Sequence, residues 1–94
     1  MDKNREEKEK YLRQKILVRA VINEWDPMML LALGAPEDEY DMEIADILAA
    51  IQKTRKVEVL ASNIATILNE SFDNRFCSNE CLHIASKLLE IANR

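Results

Sequence analysis

One glycine and two prolines serve 94 residues, so the chain has few places to turn sharply. Their scarcity predicts long helices rather than many short strands. Aromatic residues make up only 5%. Leucine, isoleucine and alanine must therefore build the core, which suits the packing of helix on helix.

Cysteine and histidine are scarce too, at two and one. A structural zinc site takes four protein ligands, so the chain cannot build one alone. Cys77, Cys81 and His83 do fall as C-x3-C-x-H. Two residues apart on a helix, Cys81 and His83 point to different faces, which argues against a catalytic pair. Both cysteines are expected to be buried or half-buried thiols.

No glycine-rich loop offers a phosphate cradle, and no Ser–His–Asp arrangement can be drawn. No apolar run reaches the roughly 20 residues of a membrane span. The start, MDKNREEKEK, lacks the apolar stretch of a secretory signal. These absences predict a cytoplasmic protein with reduced thiols, no cofactor, no metal and no membrane partner. Net charge is −4, and no basic stripe relieves it. Nucleic acid is excluded as a partner on that ground, because phosphate neutralisation supplies most of such affinity.

The chain that remains is organised around the stretch from Trp25 to Asp46, which holds both prolines, the glycine, the tryptophan and the densest acid. Asp26 before Pro27 reads as a helix cap followed by the first helical residue. Trp25 and Leu30 then stand where a hydrophobic staple forms. Gly34 and Pro36 stop what they start, which predicts a short helix over 27–33.

Six carboxylates come next in ten residues: Glu37, Asp38, Glu39, Asp41, Glu43 and Asp46. Acids favour helix N-termini, so Asp38 or Asp41 could cap the next helix. An acidic surface for a basic partner is the sharper reading. Glu39, Glu43 and Asp46 also recur at i, i+4 and i+7. Magnesium sites use carboxylates in this way, so the rival function is a magnesium-dependent hydrolase of phosphorylated small molecules.

Apolar periodicity predicts an all-α fold, with four main helices besides the short one. The first runs from about Arg5 to Glu24. Its apolar residues, from Tyr11 through Leu12, Ile16, Val18 and Ile22, cover well over half the helix circumference. Such a helix is central in its bundle or carries a second face for a partner, including another copy of itself. A second helix spans 41–54, a third 57–69, and a fourth is capped by Ser78. Only Thr54 and three charges in 53–56 separate the second from the third. Residues 1–94 form one domain, with 1–5 frayed.

N-E-W-D-P at Asn23–Pro27 and G-A-P-E-D-E-Y-D at Gly34–Asp41, with apolar helices after them, resemble the YugE-like family of small bacterial proteins, known mainly from bacilli. The resemblance covers the chain from about Tyr11 onward. It implies a small, all-helical, cytosolic protein and carries over no activity and no catalytic residues. The W-D-P and D-E-Y-D segments also resemble those of immunity-type proteins of bacterial toxin systems.

Together these readings predict a non-catalytic module that binds a basic protein through Glu37, Asp38, Glu39, Asp41 and Glu43. Trp25 or Tyr40 would serve as an anchor, and Asp26, Pro27, Gly34 and Pro36 would shape the corner.

Overall fold

The computed structural model describes residues 3–93 and contains four helices. They are α1 (Lys3–Trp25), α2 (Asp41–Lys53), α3 (Val57–Phe72) and α4 (Ser78–Ala92). No strand occurs among the described residues. The fold is all-α. Residues 1 and 2, the tip of the expected fray, lie outside the described residues.

The helices pack as a ring. α1 lies against α2 and α4, and α3 lies against the same two, so α1 and α3 occupy opposite corners. The α3–α4 seam is the most extensive. Each of the last three helices turns one stripe to the centre, as its 3.6-residue period requires. α2 contributes Ile44, Ile47, Leu48 and Ile51; α3 contributes Leu60, Ile64 and Leu68; α4 contributes Cys81, Ile84 and Leu88.

α1 behaves differently. Its Val18 and Ile22 are fully buried, but Leu12 is 49% and Ile16 66% exposed. The helix is peripheral, and its wide apolar surface is two faces, only one of which meets the core. Every residue from 5 to 13 is exposed, so the N-terminal turns of the helix overhang the core. The radius of gyration is 13.4 Å, against about 12 Å for a compact chain of this length.

The break between α2 and α3 is real. Thr54 is extended, at φ −145° and ψ 152°, and its hydroxyl accepts from the Lys56 N–H at 3.1 Å. Lys56 is extended as well, so no continuous helix forms.

The turn between α3 and α4 is held by one side chain. Asp73 ends α3 in the left-handed region at φ 51°. Asn69 then grips the far side of the loop: its Oδ1 accepts from the Phe76 N–H at 2.6 Å, and its Nδ2 donates to the Phe76 carbonyl at 3.0 Å. Phe76 packs against the core beyond it. Asn69→Ala leaves both backbone groups without these partners and is expected to destabilise by about 2 kcal/mol in denaturant titration. Proteolysis should then begin between 73 and 77.

α4 is capped one residue earlier than expected. Ser78 is already helical, and the extended residue is Cys77. Glu80 reaches back to accept from the Cys77 N–H at 3.1 Å and from its thiol at 3.2 Å. Those bonds hold the Glu80 carboxyl below its ordinary value.

Candidate functional site: a pinned acidic corner

Residues 26–40 connect α1 to α2, and their path differs from the short helix expected. Asp26 does not start a helix; it ends one. Its φ is +47°, and its N–H donates to the Ile22 carbonyl at 2.8 Å. A residue held left-handed by a bond to the fourth residue back is a helix C-terminal motif. Pro27 comes next, where a helix cannot continue. Met29 is left-handed too, at φ 57°, so 27–33 is a run of turns rather than a helix.

That run ends where the glycine predicts. Gly34 has φ +102° and donates to Leu31, while Ala35 donates to Leu30. These paired bonds form a Schellman closure, which relies on glycine's freedom at positive φ.

The Asp26 carboxylate still caps, but at a distance. Its Oδ1 accepts from the Leu31 N–H at 3.1 Å and its Oδ2 from the Ala32 N–H at 2.9 Å. The third partner is Tyr40, whose hydroxyl donates to Oδ1 at 2.6 Å and accepts from the Met28 N–H at 3.1 Å. Partial burial works to raise the Asp26 carboxyl. The hydrogen bonds from Tyr40, Ala32 and Leu31 outweigh it and hold the group below its ordinary value.

Tyr40 has no exposed surface. Its ring meets Phe72 edge-on, with centroids 5.9 Å apart. Burial, then the bond to Asp26, pushes its hydroxyl up to about 12. One tyrosine thus ties the start of the corner to its end and both to α3. Trp25 closes the same end of the bundle. It lies half-buried, with its ring centroid 6.1 Å from that of Phe76 and 6.1 Å from that of His83.

The acids divide by role. Asp41 forms a two-pronged pair with Arg19: Nε donates to Oδ1 at 3.0 Å, and the terminal guanidinium nitrogen to Oδ2 at 2.5 Å. The pair joins α2 to α1. Glu43 is buried on α2, 7% exposed. Neither Asp38 nor Asp41 caps α2 with its side chain; Tyr40 stands at the cap position and makes no side-chain cap bond. Asp41 and Glu43 occupy the first turn, where the helix dipole favours them. Glu39 precedes the helix, so Glu39, Glu43 and Asp46 share no helical face. Among the described residues no three of His, Cys, Asp and Glu gather to hold a metal ion.

Glu37, Asp38 and Glu39 are exposed. Their backbone is fixed. Asn23 donates to the Glu37 carbonyl at 3.0 Å, Glu39 donates to Pro36, and Asp41 donates to Asp38. Met29 and Leu33 earlier in the connection and Met42 just after it are exposed as well, Leu33 at 81% and Met42 at 80%. Sequence reasoning misses these apolar residues. A signal for them exists: the uninterrupted Leu30–Leu33 run cannot all face inward from a single turn.

Of the expected site, then, Glu37, Asp38 and Glu39 stand open together. Trp25 is half-covered, Tyr40 and Asp41 serve internal contacts, and Glu43 is buried. Tyr40 is excluded as a surface anchor because its ring belongs to the core.

The thiols separate as well. Cys77 is exposed and Cys81 buried. Burial, then the Glu80 carboxylate nearby, pushes the Cys81 thiol up to about 11. A soluble disulfide reagent should therefore label one thiol of the native protein. The second should react only on denaturation.

The fold and the corner define a class: a small four-helix bundle whose first connection is a hydrogen-bonded corner bearing acids. The chain belongs to the DUF1871 family, a domain of unknown function whose model matches residues 17–94. The matched region begins within α1, just before its buried residues, and takes in the corner and the other three helices. No curated protein and no solved structure matches the chain. Among the described residues no helix is long and apolar enough to cross a membrane.

Proposed function

We propose that this protein is a non-catalytic, cytoplasmic binding module whose recognition surface is the acidic corner, and that its partner presents basic side chains. The observation that carries the reading is a contrast within one segment. Asp26, Tyr40 and Asn23 fix the corner's backbone, while the side chains of Glu37, Asp38 and Glu39 are exposed. Fixed charges lose little freedom on binding and steer an oppositely charged partner into register. Leu33 and Met42, within a few residues of them in the chain, are exposed too and would supply apolar contact. The likeness of W-D-P and D-E-Y-D to segments of immunity-type proteins supports the same reading.

Its test is a charge reversal. E37K/D38K/E39K should fold as before, since exposed substitutions usually change stability by less than about 0.5 kcal/mol. It should lose capture of partners that the unaltered protein retains from lysate. Reversal of the exposed Glu58, Glu70 and Glu90 is the control and should retain them. Undiminished capture by the corner variant would refute the proposal.

A further inference from the structure

α1 carries an apolar stripe that the bundle does not use. Leu12, Ile16 and Ala20 recur every four residues and so share one face, and all three are exposed. Val18 and Ile22 face the opposite way into the core.

The edge of this stripe that faces α2 is graded in charge. Lys8 stands towards its start and Lys15 at its middle. Lys15 shares a shallow depression with Leu12, Ile16 and Arg19. Arg19 is occupied by Asp41, and Arg5 pairs with Glu9 at 3.5 Å. No ion pair engages Lys8 or Lys15 among the described residues. Four residues past Arg19 on the same edge comes Asn23, which holds the Glu37 carbonyl. The acidic corner therefore sits at the far end of the edge that begins at Lys8.

We propose that the acidic corner of one copy receives the basic, apolar overhang of α1 from a second copy, in a two-fold antiparallel dimer centred near Ile16. The proposal rests on the reading of the corner as a recognition surface and names a partner for it. A two-fold axis reverses the helix direction and keeps the edge. Lys8 lies eight residues before Ile16 and Asn23 seven after, about 12 and 10 Å along the helix. The axis thus lays the partner's Lys8 beside Glu37 and places the two Ile16 side chains together. The contact buries the stripe and joins its opposite charges twice. A helix face of this length lies at the small end of protein interfaces, so association should depend on concentration.

Sedimentation equilibrium of the full chain at rising concentration tests this. The expected result is a shift from monomer to dimer mass, weakened by added salt. Ile16→Asp should abolish the shift. K8E should weaken association roughly tenfold. Adding E37K to that variant should restore most of it, which a purely structural role for the lysine would not produce.

A monomer at every concentration would overturn the dimer while leaving the corner free for another basic protein, which the capture experiment reads separately. Dimers insensitive to Ile16→Asp, or swapped charges that fail to restore association, would overturn it equally.

Discussion

Tyr40→Phe is expected to lower stability by about 2 kcal/mol, although it removes a single oxygen. That hydroxyl donates to the Asp26 carboxylate and accepts from the Met28 N–H. Phenylalanine keeps the edge-on contact with Phe72 and loses both bonds. Hydrogen bonds to charged groups contribute about 1.5–3 kcal/mol each, more than neutral ones. For a domain of this size the loss corresponds to a melting temperature lower by about 8–16 °C. Tyr40→Ala adds a cavity and should cost about 4 kcal/mol or more, close to the whole stability of a small domain.

Burial, reinforced by the same bond, gives the protein an alkaline limit. The Tyr40 hydroxyl titrates at about 12 in the fold, against an ordinary 10.0. Its contribution to stability is therefore complete below pH 10.0 and is lost as pH rises through about 12. Asp26 works in the opposite direction. Its pKa is lowered from 3.8, so its contribution is present above that value and is lost as pH falls through the lower folded pKa. In a Tyr11→Phe background Tyr40 is the sole tyrosine, and its ionisation can be followed by absorbance. The expected result is late ionisation that coincides with unfolding.

The second large effect is a contrast along one helix. Ile22→Ala should destabilise by about 3 kcal/mol, because a fully buried isoleucine leaves a cavity when truncated. Ile16→Ala, six residues earlier and 66% exposed, should change monomer stability by less than about 0.5 kcal/mol. Thermal melts in dilute solution, below the concentration of self-association, would show one large shift and one negligible one. Equal losses would mean that both faces of α1 are core.

α2, α3 and α4 are legible in the sequence because each has one apolar face, and a single face fixes both the helix and its inward side. α1 is recognisable as a helix but cannot be oriented, since Val18 and Ile16 are equally apolar and only the rest of the bundle decides between them. Proline and glycine locate the corner correctly, but they mislead at Asp26. Local rules make an aspartate before proline the cap of the next helix. Here it ends the preceding helix and caps from a distance, because Tyr40 holds its carboxylate from fourteen residues away.

Such distant bonds leave no periodic mark. The Asn69 grip on Phe76 is hidden for the same reason, seven residues apart across a turn. The open acids are legible as a cluster. Their division into Glu37, Asp38 and Glu39 outside and Asp41 inside is not, because it depends on Arg19 reaching across from α1.

Amide hydrogen exchange at Leu31 and Ala32 tests the pinned corner most directly. Both N–H groups sit in a segment without helix or strand, and both donate to the Asp26 carboxylate. If Asp26 and Tyr40 fix this connection, the two amides should exchange orders of magnitude more slowly than in an unfolded chain, and Tyr40→Phe should speed them well before α3 is affected. Exchange at nearly the unfolded rate in the unaltered protein would show a loose connection, and the presentation of Glu37, Asp38 and Glu39 as fixed charges would fail with it.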